Sequence, residues 1–216
     1  MPNQDYQSER REYEFGALDE QQLADHPFDQ FADWMTQAHQ QSIIKDPTAM
    51  SLSTVDKSGQ PHSRIVLLKS FDADGFVFYT NYNSAKGQEL SDNAKAALLF
   101  FWPEVDRQIR IEGSIAQTSP TQSADYFHSR PRGSQLAALI SEQSQVVANR
   151  QTLENRLQEA ATTYQNQEIP ALENWGGYRL TPHYFEFWQG RPNRLHDRFR
   201  YQQQTSQQWH IDRLSP

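Results

Sequence analysis

From Met50 to Gln117 the chain runs as short segments of alternating apolar and polar residues, separated by turn formers. That rhythm restricts the available folds more than anything else in the sequence. Met50, Leu52 and Thr54 take every second position, and Asp56-Lys57-Ser58-Gly59 supplies a turn. Residues 64–69 follow, then a turn at Asp72-Ala73-Asp74-Gly75, then residues 76–80. A period of two puts successive side chains on opposite faces of a strand, and such runs joined by Asp/Gly turns read as an antiparallel meander. Residues 96–102 are continuously apolar, which predicts a strand buried on both faces. Residues 107–117 alternate again, with Ile109, Ile111 and Ile115 on one side. Strand patterns return at 178–180, 184–188, 197–201 and 209–213. Six or more short strands without a βαβ rhythm predict a mainly β chain with α (α+β), an antiparallel barrel with helices packed around it.

Helical spacing appears between these segments. Phe28, Phe31, Trp34, Met35 and Ala38 recur at three- and four-residue intervals, giving one apolar face, and Asp46-Pro47 ends that run. Residues 84–93 read as a short helix with Ser84 as its N-cap, and two or three helices fill residues 121–164. Residues 1–25 are polar and without periodicity, so they read as a flexible arm ahead of a single domain at 26–216. The tract Gln202-Gln203-Gln204 reads as a hairpin loop.

Composition excludes several functions. Hydrophobic residues are only 36% of the 216, but aromatics reach 12%, too many for a disordered chain. Net charge is -7, from 20 basic and 27 acidic residues, which argues against a broad nucleic-acid surface. With no cysteine there is no disulfide framework, thiolate metal site or cysteine nucleophile. The histidines stand apart, and no pair has H-E-x-x-H spacing, so no metal site is expected. G-x-G-x-x-G, the P-loop and G-x-S-x-G are all missing. The N-terminus lacks the apolar stretch of a signal peptide, and no run approaches the roughly 20 apolar residues of a membrane span. The expectation is a soluble, cytoplasmic protein.

What remains is the placement of basic residues in three short runs. In Arg64-Ile65-Val66-Leu67-Leu68-Lys69 the two cations are an odd number of positions apart. On a continuous strand they would face opposite sides and could serve two anions; two surface charges at strand ends also fit. The second run is Arg130-Pro131-Arg132, between Tyr126 and Ser134. On one helix Tyr126 and Arg130 are i,i+4 neighbours, and a guanidinium, a phenol and a hydroxyl together suit a phosphate. A solvated helix end is the alternative. In the third, residues 191–200, four arginines stand against one aspartate. If Arg194, His196 and Arg198 are extended they share a face, suited to an anionic aromatic ligand. A charged edge that deters strand pairing is the competing reading.

These runs carry a family resemblance. Arg64-Ile65-Val66-Leu67-Leu68-Lys69, Phe78-Tyr79-Thr80-Asn81, Tyr126-Phe127-His128-Ser129-Arg130-Pro131-Arg132, Trp175-Gly176-Gly177, Glu186-Phe187-Trp188-Gln189-Gly190, Arg194-Leu195-His196-Asp197-Arg198 and Ile211-Asp212-Arg213-Leu214 occur in this order. Together they closely resemble the pyridoxamine (pyridoxine) 5'-phosphate oxidases over nearly the whole chain from Arg10. The resemblance implies an FMN-binding split β-barrel acting as a homodimer, with FMN at the subunit interface. It puts FMN contacts on Arg64, Ile65, Val66, Leu67, Leu68, Lys69, Tyr79, Thr80, Lys86, Gln108, Gln143, Ser144, Trp188 and Arg198. It puts the substrate phosphate on Lys69, Tyr126, Arg130 and Ser134, and the pyridine ring by Arg194, Leu195 and His196, with Arg194 and His196 as the catalytic candidates. Arg10, Arg11, Glu12 and Tyr13 resemble the family's N-terminal segment that folds over the site. One departure matters: Ala85 stands where the family commonly has Arg, so flavin affinity leans on Arg64 and Lys86.

The activity so implied is oxidation of pyridoxamine or pyridoxine 5'-phosphate to pyridoxal 5'-phosphate by dioxygen, without a nucleic-acid or membrane partner. A split-barrel flavin reductase and a non-catalytic FMN or pyridoxal-phosphate carrier are the other readings. Tyr126, Arg130 and Ser134 argue against the first, and Arg194 with His196 against the second.

Overall fold

The computed structural model describes residues 5–205 and 208–216. In chain order its main elements are α1 (Pro27–Gln40), β1 (Ala49–Val55), β2 (Pro61–Leu67), β3 (Ser70–Asp72), β4 (Gly75–Asn81), α2 (Ala85–Asp92), β5 (Lys95–Trp102), β6 (Arg107–Gln117), α3 (Pro120–Ser129), α4 (Arg132–Ile140), α5 (Arg150–Thr163), β7 (Trp175–Gln189), β8 (Asp197–Thr205) and β9 (Gln208–Arg213). The strands hydrogen-bond in the order β2-β1-β5-β6-β7-β4-β3, with β8 on β7 and β9 on β8. The pairings β1–β2, β3–β4, β4–β7, β7–β8 and β8–β9 are antiparallel. This is the mainly β, helix-flanked class that the alternation predicts, with the antiparallel sheet of a split barrel.

The chain divides into two compact units. The central unit holds residues 48–97 and 112–182. In β1, Met50, Leu52 and Thr54 are buried as their spacing predicts. Phe76, Val77 and Phe78 of β4 are fully buried, worth roughly 1.5–3 kcal/mol for each large side chain. Gly75 makes the β3–β4 turn possible: its φ is +136°, and a Cβ there would meet the Leu180 carbonyl oxygen at 2.0 Å. Ser84 caps α2 as expected, its Oγ accepting from the Gly87 N–H. Three helices, α3 to α5, fill the predicted interval, and Phe127, Leu136, Ile169 and Trp175 form a buried cluster there.

The terminal unit comprises residues up to Pro47 with 98–111 and 183–216. The apolar face of α1 buries Phe31, Trp34, Met35 and Ala38. Trp34 meets Phe187 edge-on at 5.3 Å between ring centroids, and Phe31 meets Phe100 at 5.2 Å. Of the segment read as a flexible arm, residues 1–4 lie outside the described residues. Further along it Leu18 is buried, and its N–H donates to Asp197 at 3.1 Å.

Several local expectations are corrected. Residues 178–180 and 184–188 belong to one strand, β7, which runs through Pro182. β5 is not buried on both faces: its even-numbered residues are buried while Phe101 is exposed. The glutamine tract is no loop, because Gln202 and Gln203 pair with His210 and Trp209 inside the β8–β9 ladder. Polar side chains mislead at such positions, since a strand needs only backbone partners there.

Candidate functional site

A cavity of about 320 Å³ in the central unit collects eleven of the predicted residues: Arg64, Ile65, Val66, Leu67, Lys69, Tyr79, Thr80, Lys86, Tyr126, Arg130 and Gln143, together with Trp175. Arg64 and Lys69 share it despite their odd spacing. β2 ends at Leu67, so strand alternation does not extend to Lys69, whose backbone N–H donates to Val77 O at 2.8 Å. Leu68 turns inward instead and is buried. Tyr126 and Arg130 also share the cavity without sharing a helix, because α3 ends at Ser129 and Arg130 is its extended C-cap.

On one side of this cavity the Lys86 ammonium, buried on the first turn of α2, donates to Thr80 Oγ1 at 3.3 Å and Gln143 Oε1 at 3.1 Å. Thr80 Oγ1 in turn donates to Gln143 at 2.9 Å. Burial, and then the Arg64 charge, push the Lys86 pKa down; a bound anion would reverse that push. Arg64 is anchored by Glu89 Oε2 at 2.8 Å, by Thr54 Oγ1 and by Leu52 O at 3.3 Å.

The remaining wall is aromatic. The Tyr79 and Tyr126 rings stack at 3.8 Å, and Trp175 lies nearly parallel to Tyr126 at 6.1 Å. The Arg130 guanidinium lies over Trp175 at 4.5 Å, a cation–π contact. Its Nη1 is buried without a hydrogen-bond partner among the described residues. Burial raises the pKa of both phenols, so Tyr79 and Tyr126 stay protonated as donors. A buried donor such as Arg130 Nη1 is costly unless a ligand satisfies it.

The other predicted residues lie in the terminal unit, apart from two serines. Ser134 sits on α4 and Ser144 follows Gln143 with a left-handed φ of 72°; neither lines the cavity. In the terminal unit, Tyr13, Trp188 and His196 pack together, with Trp188–His196 centroids at 4.7 Å and Tyr13–His196 at 5.2 Å. His196 Nδ1 accepts from the Arg191 N–H at 3.1 Å, which leaves Nε2 to carry the proton of the neutral ring. Burial, then the Arg194 and Arg198 charges, lower its pKa. Arg194, His196 and Arg198 are not one extended run: Arg194 sits in a 3-10 turn with φ 63°, and only Arg198 lies in β8. Arg198 pairs with the buried Glu186 at 2.9 Å, and Arg110 holds the other carboxylate oxygen at 2.8 Å. Burial alone would raise the Glu186 pKa, but those two hydrogen bonds outweigh it and hold it low. Leu195 is exposed, and Gln108 is half-buried on β6. Arg10, Arg11 and Glu12 are exposed, and Arg11 pairs with Asp106 at 2.5 Å.

Glu89 and Thr54 were not legible as site residues, and Trp175 was noticed only within a motif. Glu89 follows Lys86 by three positions on a helix, a spacing that reads as an ordinary surface pair. Nothing in the sequence announces that β1 and β2 bring Thr54 and Arg64 to it.

A family model described as pyridoxamine 5'-phosphate oxidase matches residues 35–164, and one described as the pyridoxine 5'-phosphate oxidase C-terminal dimerisation region matches 175–216. The chain is 61% identical to pyridoxine/pyridoxamine 5'-phosphate oxidase 1 of Hydrogenovibrio crunogenus, covering 100% of both. It is 54% identical to the pyridoxine/pyridoxamine 5'-phosphate oxidase of Bordetella avium, over 96% of this chain and 97% of that one. Among solved structures, PhzG from Burkholderia lata in complex with tetrahydrophenazine-1-carboxylic acid superposes with a TM-score of 0.84 at 28% identity, covering 91% of this chain and 95% of that one. A pyridoxamine 5'-phosphate oxidase-related, FMN-binding protein from Nostoc punctiforme shares the fold, with a TM-score of 0.68 at 17% identity over 90% and 99% of the two chains.

Proposed function

The chain belongs to the pyridoxamine 5'-phosphate oxidase family, and from that premise we propose that it oxidises pyridoxamine and pyridoxine 5'-phosphates to pyridoxal 5'-phosphate, using FMN and dioxygen. One observation carries the reading: a chain of net charge -7 gathers Arg64, Lys69, Lys86 and Arg130 around one cavity, with a buried Arg130 N–H left for a ligand. Each phosphate monoester brings about -1.5 to -2 charges near neutral pH, so two of them, from FMN and substrate, match this set.

The donor set fits FMN. Arg64 and Lys86 would hold its phosphate, and Ile65, Val66 and Leu67 supply backbone and apolar contacts beside Tyr79, Thr80 and Gln143. Gln108, Ser144, Trp188 and Arg198 complete the set by resemblance. When bound, FMN would supply a hydride acceptor for the substrate C4' and a route for the electrons to dioxygen, giving hydrogen peroxide; with the amine substrate, water would then hydrolyse the imine and release ammonia.

The protein's own work is binding and orientation. Lys69, Tyr126, Arg130 and Ser134 would hold the substrate phosphate, Arg130 offering paired donors and Tyr126 a single one. Arg194, Leu195 and His196 would position the pyridine ring, and Arg10, Arg11, Glu12 and Tyr13 would cover it. Toward the amine substrate His196 would serve as a neutral donor through Nε2 rather than an obligatory base, since an amine can lose hydride with only its own lone pair. The match of residues 175–216 to a dimerisation region supports a homodimer; FMN at its interface is what the family resemblance implies.

The purified protein tests this directly. A yellow dimer that consumes oxygen with pyridoxamine 5'-phosphate and forms pyridoxal 5'-phosphate is expected. Bound flavin without turnover would favour a carrier, and turnover of unphosphorylated substrates alone would favour a reductase. Arg194→Ala should cut turnover far more than FMN binding; equal losses of both would mean that Arg194 has been given the wrong role.

A further inference from the structure

We propose that Glu89 and Thr54 form a positioning pair that aims the Arg64 guanidinium at the flavin phosphate. The inference rests on reading the central cavity as the FMN site, and it concerns residues that do not line that cavity.

The hydrogen bonds of Arg64 support it. A guanidinium has five N–H donors in a fixed plane. Nη1 donates to Leu52 O at 3.3 Å and to Thr54 Oγ1, and Nη2 donates to Glu89 Oε2 at 2.8 Å. Thr54 Oγ1 closes the ring by donating to the same Glu89 oxygen. The edge shared by Nη1 and Nη2 is thereby occupied by protein. The Nε–H and the second Nη2–H lie parallel on the other edge, the fork that binds a phosphate through two oxygens. Arg64 lines the cavity with its side chain 22% exposed, which leaves that fork accessible to a phosphate.

A carboxylate is otherwise a poor neighbour for an anion site. Glu89 is 7% exposed and Thr54 only 1%, and a buried charge is costly unless paired and hydrogen-bonded. Burial alone would raise the Glu89 pKa, but the Thr54 and Arg64 hydrogen bonds outweigh it, so the group stays ionised. Its negative charge opposes phosphate binding, whereas its hold on Arg64 favours it. The two effects have opposite signs, which makes the proposal testable. Positioning weighs more in this chain because Ala85 leaves the flavin phosphate to Arg64 and Lys86.

The test is titration of the full-length, flavin-stripped protein with FMN and with riboflavin, read by flavin fluorescence. Arg64→Ala sets the scale. Glu89→Ala should weaken FMN binding about tenfold and leave riboflavin, which lacks the phosphate, within about twofold. Glu89→Gln keeps an oxygen acceptor for Nη2 and should restore most of the loss; Thr54→Val should weaken FMN in the same phosphate-dependent way. FMN binding as tight or tighter in Glu89→Ala, with Arg64→Ala weakened, would overturn the positioning role. If Glu89→Ala does not fold, unchanged FMN affinity in Thr54→Val overturns it instead. Unchanged FMN affinity in Arg64→Ala would reject the cavity reading itself.

Discussion

Replacing Arg130 by Ala separates ligand binding from folding, because the two effects differ in size and can be worked out separately. In the protein as described, Arg130 lies over Trp175 at 4.5 Å while its buried Nη1 has no hydrogen-bond partner. Removing the side chain gives up a cation–π contact of about 0.5–2 kcal/mol. It also removes an unsatisfied buried donor that costs about 1–3 kcal/mol. The two offset each other to within about 1–2 kcal/mol, and at about 2–4 °C per kcal/mol for a chain of this size, Tm of the ligand-free protein should move by about 8 °C or less. The effect on substrate is far larger. Losing charge-assisted hydrogen bonds worth about 1.5–3 kcal/mol should raise KM for pyridoxamine 5'-phosphate about 10- to 150-fold, with kcat within a few-fold. Steady-state oxygen consumption and a thermal melt measure the two quantities. An unchanged KM, or a melting temperature lowered by more than about 10 °C, would refute the argument.

Other perturbations test other parts of the structure. The Glu186 pKa is held below its ordinary value of 4.5 by Arg110 and Arg198, so its contribution is complete above that value and fades as pH falls through the lowered pKa. Glu186→Gln should therefore lose stability at pH 7, by about 2–4 kcal/mol given its half-exposed partners, and approach the parent in acid; a gap in urea unfolding that is constant with pH would count against the pairing. The imidazole of His196 should titrate with a midpoint below about 6.5, since burial and two arginines oppose its protonation. Proton-detected NMR titration reads it, and a midpoint above that value would contradict the described surroundings. At Gly87 a Cβ would meet the Tyr82 carbonyl oxygen at 2.0 Å; Gly87→Ala should lower Tm by about 2–12 °C, and an unchanged melt would show that α2 can shift.

Much of the fold follows from local chemistry that a sequence displays. Met50, Leu52 and Thr54 announce β1 because alternation and burial are the same fact seen twice. Ser84 announces the start of α2 because a hydroxyl there meets an unpaired helix N–H. The local rules failed at element ends. The opposite-face argument for Arg64 and Lys69 holds only inside a strand, and β2 stops at Leu67. The i,i+4 argument for Tyr126 and Arg130 holds only inside a helix, and α3 stops at Ser129. In both cases the residues do line one cavity, but loop geometry brings them there.

The identities that phosphate chemistry requires are plain in the chain itself: guanidiniums, ammoniums and phenols in short runs, with no thiol to compete. Those are properties of side chains, and they survive without coordinates. How those groups are held depends on the folded chain. Glu89, Thr54 and Arg64 come from α2, β1 and β2, and nothing in their sequence neighbourhoods links them. The Arg130 guanidinium lies over Trp175, 45 residues further on, and its buried Nη1 has no hydrogen-bond partner among the described residues. Hydrogen-bond satisfaction depends on distances between residues far apart along the chain, so it arises only when the chain has folded.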